Sequence, residues 1–395
     1  MNTKYGLFTY KTINVGDDIQ SLAARRFLPQ IDYIIDRDNI DNEAHFEKND
    51  RVKFIMNGWY THAPENWPPT NKQIDPLLLS MYINAAYDDS VKDAFLSSSS
   101  KRFMAENGPV GARDMATMQF LQDNGIDSYF SRCLTLTLQR DGRIERQDYI
   151  LAVDVSEDVL FTIKKRTQRP VITASAAIMN KQTSPDQRIA LAEFYLSLFQ
   201  AAHCVVTSRL HTTLPCLALE TPVLFIENML DVDPKRFDGL LDLMNHSSEK
   251  KFLKDETFYN LDTPPSNKDS YKKYRKELIK TCREFTSFDA DASFLCGKPL
   301  PIPSYDTVLI QAILDGLHST NLLTESRQEK DALAEKIQTL SSNKSALEKD
   351  LEGKEKYINQ LEDNLQGIYK SVSWKVTKPL RATKAIARKV AEKKK

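Results

Sequence analysis

Short apolar runs alternate with amphipathic segments along the first 230 residues. Runs of four to eight mainly apolar residues, typical of buried strands, lie at 5–10, 32–36, 52–59, 77–83, 148–155, 171–175, 205–208 and 223–226. Segments with helical spacing of apolar residues separate several of them, at 17–28, 154–168, 185–202 and 212–220. Such alternation is typical of parallel sheets with helices on both faces. The pattern predicts an α/β fold with two Rossmann-like domains.

The predicted domains span residues 1–160 and 161–322. Between 230 and 300 the chain is more polar and irregular, and a helix around 304–322 is expected to pack against the body. Ligands of open parallel sheets bind beyond the carboxyl ends of the strands. The turns that follow the predicted strands are therefore the places to look for a site.

From 323 to 369 the pattern changes to one apolar residue every three or four positions. These residues are Leu333, Ile337, Leu340, Leu347, Leu351, Ile358, Leu361, Leu365 and Ile368, with Lys344 and Lys354 at the two missing positions. About five heptads of this kind predict a coiled coil and hence a homo-oligomer. The alternative is a single amphipathic helix that packs on the body.

The segment 370–395 carries ten Lys and Arg and one acid, so its net charge is +9, whereas the whole chain is neutral. Its apolar residues include Trp374, Leu380 and Ile386. A basic amphipathic helix with an aromatic residue is typical of segments that lie on a membrane surface. A solvated tail is the alternative. Nucleic acid is not an expected partner, because the body has no basic surface with interleaved aromatic residues.

The cysteines and the apolar runs indicate the compartment. Five cysteines are scattered without CxxC or His-paired spacing, which argues against a disulfide framework or a zinc site. The first residues, MNTKYGLFTY, do not have the pattern of a signal peptide, and no apolar run is long enough to span a membrane. We expect a cytoplasmic protein, with peripheral contact at the inner face of the cell membrane through the basic tail.

Polar residues at the first strand–helix junction could form part of a ligand site. Asn14 and Gly16 lie in the turn after the first predicted strand, and Asp17 or Asp18 can cap the helix that follows. Glycine in such a turn lets a ligand approach the backbone closely. An ordinary strand–helix turn explains the same residues, and the segment is neither a GxGxxG nor a Walker sequence.

Two further junctions carry cations. In NGPVGARDMATMQFL, residues 107–121, Arg113 follows a turn and Asp114 can cap a helix. In VVTSRLHTTLPCLALETPVLFI, residues 205–226, Arg209 and His211 interrupt an apolar stretch and are expected to face the same side of an extended segment. A guanidinium and an imidazole beside a helix N-terminus suit a phosphate or a carboxylate. A structural ion pair and a buried histidine are the alternative interpretation.

Taken together, the three segments resemble the N-x-GD, R-D and R-x-H…G-x-P segments of polysaccharide pyruvyl transferases, in the order expected for that family. The resemblance covers roughly residues 1–230 and departs from the family pattern at Glu220, where the family commonly has glycine. Separately, SVSWKVTKPLR, residues 371–381, is similar to a tail motif of bacterial surface-polysaccharide glycosyltransferases.

The resemblance implies a GT-B-like fold and a specific reaction. Pyruvate would pass from phosphoenolpyruvate to two hydroxyls of a sugar in a cell-surface polysaccharide or its lipid-linked precursor, giving a cyclic ketal and phosphate. The resemblance places Arg113, Arg209 and His211 in the donor site. The two alternatives are a GT-B glycosyltransferase that uses a nucleotide sugar and a catalytically inactive scaffold presented by the coiled coil.

The residue types suit this chemistry. Arginine holds carboxylate and phosphate groups bidentately, which assigns Arg113 and Arg209 to the donor anion. His211 is the expected proton donor, since a histidine ordinarily has a pKa near neutrality. Asn14 and Gly16 are further expected substrate-binding positions, and Asp17 is the expected base. The scheme requires no metal and no cofactor, with phosphoenolpyruvate as donor substrate.

Overall fold

The computed structural model describes residues 2–85, 88–180, 182–227, 234–295 and 306–392. The chain divides into two compact units, residues 1–323 and 324–395. The first unit contains two sheets, and each of them consists of parallel strands. The predicted α/β class with two parallel sheets is therefore confirmed.

The first sheet has the strand order β2-β1-β3-β4-β5-β6. Its strands are β1 Asn2–Thr9, β2 Tyr33–Asp36, β3 Asp50–Trp59, β4 Ile74–Tyr82, β5 Val110–Ala112 and β6 Ser128–Phe130. The connecting helices are α1 Val15–Arg25, α2 Ile40–Glu43, α3 Asp89–Leu96, α4 Ser98–Asn107 and α5 Met115–Asp123. Because all the strands run the same way, β1 and β5 both end at the carboxyl edge of the sheet.

The second sheet has the strand order β11-β10-β9-β7-β8. Its strands are β7 Ile150–Val153, β8 Val171–Ala174, β9 Cys204–Thr207, β10 Val223–Glu227 and β11 Asn245–Ser248. The helices are α6 Glu157–Arg166, α7 Pro185–Ala201, α8 Leu210–Ala218, α9 Glu249–Leu253 and α10 Tyr271–Thr286. β7 pairs in this sheet, whereas the domain boundary predicted at residue 160 places it in the first domain.

Central strands of the second sheet are buried on both faces, which explains their near-continuous apolar sequence. Every residue of β7 and of β9 is buried. Strands covered by helices on both sides show such runs rather than alternation. The predicted strands at 148–155 and 205–208 therefore overlap the observed ones.

Several elements were not predicted, among them β5, β6, β11 and α10, whose sequences lack a strong apolar pattern. β5 has three residues and includes Gly111, β6 also has three residues, and β11 reads NHSS. Helix α10 is rich in Lys, Arg and Glu, and only a narrow set of its side chains, including Leu278 and Cys282, is buried. Short strands and charged helices obtain their stability from neighbours that the local sequence does not show.

Helices α1 and α7 join the two sheets. Asp18 of α1 accepts hydrogen bonds from Arg188 Nε at 2.9 Å and Nη2 at 2.8 Å, and both side chains are buried. A second pair, Arg25 with Glu193, lies 2.8 Å apart between the same helices. One hydrophobic core continues across this contact and includes residues of both sheets. The carboxyl edges of the two sheets are thus held in one compact unit.

A long helix, α11 Thr307–Lys370, follows. Its first turns belong to the first unit, where Ile310 and Leu314 are buried and Gln311 bonds to the backbone of Thr173 in β8. Beyond residue 323 the nine apolar residues of the predicted coiled-coil seam are all exposed, by 44 to 69%. Two short helices, α12 Val372–Val376 and α13 Lys378–Glu392, complete the second unit. No described helix is long and apolar enough to cross a membrane.

Candidate active site

A small cavity of about 30 Å³ lies at the carboxyl edges of both sheets. Its lining residues are Asn14, Val15, Gly16, Arg113, Ala176, Arg209, Leu210, His211, Thr212 and Arg236. Five of the six residues predicted for the site, from three distant segments, line this one cavity. Arg113, Arg209, Arg236 and His211 are among these residues, so the lining suits a small anionic group.

The N-terminus of α1 forms one wall. The Asn14 side chain caps the helix by accepting the Gly16 N–H at 2.9 Å, so the cap is Asn14 and not Asp17 or Asp18 as predicted. The Val15 N–H donates to the Ala176 carbonyl at 2.8 Å, which attaches this wall to the loop after β8. The helix has eleven residues, and its N-terminal end favours negative charge.

The N-terminus of α8 forms the opposite wall. Arg209 is the residue before the helix, and its Nε donates to Asp154 Oδ2 at 2.7 Å. His211 is the second residue of the helix and is half-buried, with its Nε2 atom fully buried. The predicted extended segment with both side chains on one side is therefore wrong, since the chain turns into the helix at Leu210. Both side chains nevertheless line the cavity.

Arg113 follows β5 directly and is 3% exposed. Its guanidinium stacks 3.7 Å from the centre of the Tyr82 ring, and its Nη2 donates to Asp114 Oδ2 at 3.3 Å. Asp114 caps α5 by accepting the Thr117 N–H, as predicted. The buried Nε of Arg113 has no hydrogen-bond partner among the described residues. This cation is therefore fixed in place with a donor still available.

The electrostatics of the cavity depend on His211. Burial, followed by the positive charges of Arg113 and Arg236, lowers the pKa of His211 well below its ordinary value of 6.5. Within the part of the chain that the structure describes, the buried Nε2 of His211 also has no hydrogen-bond partner. The expected near-neutral pKa is thus not found. The imidazole is neutral at pH 7 and faces two cations, an arrangement that an anion would complete.

Asp17, the sixth predicted residue, is not among the cavity's lining residues. Its carboxylate is buried, accepts a hydrogen bond from Thr12 Oγ1 at 2.6 Å and another from Gln20 Nε2 at 3.3 Å, and lies 3.6 Å from Arg37 Nη1. Thr12 lies between β1 and α1, and Arg37 directly follows β2, so these contacts are with the part of the chain that forms the first sheet. Among the described residues, no group of three or more His, Cys, Asp or Glu side chains is arranged to hold a metal ion.

Comparison with known proteins assigns this chain to a family. The sequence model of polysaccharide pyruvyl transferases matches residues 14–228, more than half of the chain and all of the predicted site residues. The chain belongs to the polysaccharide pyruvyl transferase family. A member of this family is a transferase enzyme, and the family implies a polysaccharide acceptor.

Solved structures similar to this chain are distant. An uncharacterised protein from Klebsiella pneumoniae subsp. pneumoniae is 12% identical, with a TM-score of 0.35 and coverage of 59% of this chain and 87% of that chain. The UDP-GlcNAc 2-epimerase of Methanocaldococcus jannaschii is 9% identical, with a TM-score of 0.34 and coverage of 78% and 99%. Neither similarity is close enough to support a conclusion about this chain. No curated protein matches the sequence.

Two charged residues at or beside the cavity were not among the predicted site residues. Arg236 reaches the cavity from a short 3-10 helix, Pro234–Phe237, in a polar segment with no recognisable pattern. Asp154 bonds to Arg209 but reads, in the apolar run 148–155, as part of a strand. The sequence marks Asp154 only as an acidic residue that directly follows a fully buried strand.

Proposed function

We propose that this transferase moves the pyruvate skeleton of phosphoenolpyruvate onto two hydroxyls of a polysaccharide sugar and forms a cyclic ketal. The observation that carries the proposal is the convergence of Arg113, Arg209 and His211 with the N-termini of α1 and α8 on one cavity. Phosphoenolpyruvate carries a phosphate and a carboxylate. Buried guanidinium groups and helix N-termini bind such anions strongly.

In the proposed mechanism, donor binding changes the protonation of His211. Burial and the charges of Arg113 and Arg236 keep the His211 imidazole neutral in the absence of the donor. An anion in the cavity offsets those positive charges, which raises the pKa of His211 and favours uptake of a proton. His211 then donates this proton to the methylene carbon of the donor, and the neighbouring carbon becomes electrophilic.

The remaining steps balance without a further reactant. Each of two sugar hydroxyls forms one carbon–oxygen bond to the electrophilic carbon, and the bond from that carbon to the phosphate oxygen breaks. One hydroxyl proton returns to His211, and the other leaves with the phosphate. Arg113 and Arg209 stabilise the departing phosphate. The proposal leaves Asp17 out of the proton transfers, because its carboxylate bonds to Thr12 and Gln20 outside the cavity.

Donor identity can be tested by thermal shift of the full chain. We expect phosphoenolpyruvate to raise the melting temperature and a panel of nucleotide sugars to leave it unchanged, because ligand that binds only the native state stabilises it. Stabilisation by a nucleotide sugar alone would instead support a GT-B glycosyltransferase. Binding of neither class would support a scaffold.

We further propose that the second unit assembles and places the enzyme. The nine exposed apolar residues of α11 repeat at heptad spacing, which favours pairing with the same helix of another copy. In the basic segment, Arg381 stacks 3.5 Å from the centre of the Trp374 ring, and Leu380 and Ile386 are exposed on α13. A cationic helix with exposed apolar residues suits an anionic membrane surface, where a lipid-linked glycan would be found.

A further inference from the structure

Asp154 has an unusual position next to the anion cavity. It is the residue directly after β7, and its φ of 49° is in the left-handed region that few non-glycine residues adopt. Its N–H donates to the Ala174 carbonyl at 3.1 Å, and its own carbonyl accepts from Ser208 Oγ at 2.5 Å. The backbone of Asp154 therefore holds together the strand ends of β7, β8 and β9.

The Asp154 carboxylate makes two further bonds, and both go to residues that line the cavity. Oδ2 accepts from Arg209 Nε at 2.7 Å and from the Ala176 N–H at 3.0 Å. The Asp154 side chain is 15% exposed and the Arg209 side chain 43% exposed, so the bond fixes a guanidinium that is otherwise free to move in solvent. No described residue accepts a hydrogen bond from the terminal nitrogens of Arg209, which leaves them available to a ligand.

The bond to Ala176 extends this effect to the opposite wall. The Ala176 carbonyl accepts from Val15 at the N-terminus of α1, and Asn14 forms an antiparallel bridge with Ala177. One carboxylate thus sets the position of Arg209 on the α8 wall and, through the loop after β8, of the α1 wall. Asp154 itself is not among the residues that line the cavity.

We propose that Asp154 is a positioning residue for the donor anion, which acts by orienting Arg209 and does not itself touch the donor. This inference rests on the proposed function. If Asp154 acts by orienting Arg209, Asp154→Asn should weaken binding of the donor anion. If Asp154 acts only through its negative charge, Asp154→Asn should strengthen it. Removal of a negative charge near an anion site strengthens anion binding by Coulomb attraction alone. Loss of the ion pair that orients Arg209 weakens binding, because a mobile guanidinium must be ordered when the ligand binds.

The experiment is a double-mutant cycle in the full chain. Phosphoenolpyruvate is titrated by calorimetry into wild type, Asp154→Asn, Arg209→Gln and the double variant. Asparagine tolerates the left-handed backbone and can still accept the Ala176 N–H, so the fold is preserved. We expect Asp154→Asn to weaken binding by roughly tenfold in the wild-type background and by less than about twofold in the Arg209→Gln background, because residues that act through each other are not additive.

The matched control is Asp315→Asn. Asp315 and Asp154 both line a second pocket, beside β7, β8 and the start of α11. Asp315 bonds to Gln311 and not to Arg209, so this variant should bind phosphoenolpyruvate as wild type does. Additive losses in the cycle, unchanged binding or tighter binding of Asp154→Asn would each overturn the positioning role. Failure of wild type to bind phosphoenolpyruvate would instead refute the proposed function, so the two failures are distinguishable.

Discussion

Gly16 and His211 touch each other across the anion cavity. A Cβ atom on Gly16 would lie 2.8 Å from Cβ of His211 and 3.1 Å from its Nδ1. The two residues begin helices that belong to different sheets, α1 and α8. The close approach of these helix N-termini therefore depends on the absence of a side chain at position 16.

The first prediction concerns Gly16→Ala. The added methyl group must displace His211 or α1, and overpacking of this kind costs about 1–3 kcal/mol. We expect the free energy of unfolding, measured by urea denaturation, to fall by that amount and phosphoenolpyruvate binding to weaken. Gly142→Ala is the control, since a Cβ there meets no atom within 4 Å. Equal stability of the two variants would contradict the described contact.

The second prediction concerns the pH dependence of stability. The pKa of His211 is lowered in the folded chain, so below about pH 6.5 the unfolded chain binds more protons at this position. The free energy of unfolding therefore includes the full contribution of neutral His211 above about pH 6.5, and this contribution is lost as the pH falls below that value. We expect the stability of wild type relative to His211→Gln to fall between about pH 8 and about pH 5.

Urea denaturation of both proteins across this pH range measures the difference and removes contributions shared by other titrating groups. Saturating phosphoenolpyruvate should reduce the fall in wild type, since the donor anion favours the protonated imidazole. A difference that does not change with pH would show that His211 titrates alike in the folded and unfolded chain.

The third prediction concerns Arg113→Gln. Arg113 is buried beside His211, and hydrogen bonds to charged groups contribute about 1.5–3 kcal/mol. We expect phosphoenolpyruvate affinity to fall by about 10- to 100-fold in calorimetric titration. Arg140→Gln is the control, because Arg140 is 44% exposed and pairs with Glu220 away from the cavity. Equal affinities of the two variants would remove Arg113 from the donor site.

The fourth prediction concerns the ion pair Asp18–Arg188. Asp18→Ala leaves the Arg188 guanidinium buried without its partner, which costs about 3–5 kcal/mol in comparable pairs. Glu193→Ala breaks the ion pair between Arg25 and Glu193, in which both side chains are 16% exposed. This change should lower the free energy of unfolding by about 1 kcal/mol. Urea denaturation compares the two. A smaller loss for Asp18→Ala than for Glu193→Ala would refute the role of this pair in joining the sheets.

The fifth prediction concerns the second unit. Residues 1–323 form a compact unit, so deletion of 324–395 should leave a folded protein that still binds phosphoenolpyruvate. If α11 forms a coiled coil, light scattering should show an oligomer for the full chain and a monomer after the deletion. Lys344→Leu with Lys354→Leu, which completes the apolar seam, should stabilise the oligomer. An unchanged oligomer after deletion would contradict the proposal.

The sequence indicated which residues meet at one cavity, but not how they are arranged there. Arg209 and His211 were predictable because they follow a strand with a clear apolar pattern, and parallel strands end at one edge. Arg113 was predictable from the glycine-containing turn before it and the helix cap Asp114 after it. The helical start at Leu210 and the low pKa of His211 were not predictable, because they depend on packing against Gly16 and on the charge of Arg236. Burial by distant segments has no local sequence signal.

The same limit applied to the fold. β7 and β9 were predictable because strands buried on both faces are apolar throughout. β11, with the sequence NHSS, is a strand because β10 provides its hydrogen bonds. Helix α10 was predicted to be irregular because many of its residues are charged, and its few buried positions are identified only once the helix packs on the core.

The most direct test of the account is the reaction itself. Full-length protein is incubated with phosphoenolpyruvate and candidate glycans, released phosphate is measured, and the glycans are analysed by mass spectrometry, with His211→Gln as the control. We predict phosphate release that depends on the glycan, together with a glycan that has gained pyruvate less one water, and neither product with His211→Gln. An unmodified glycan with every acceptor, or full turnover by His211→Gln, would contradict the account.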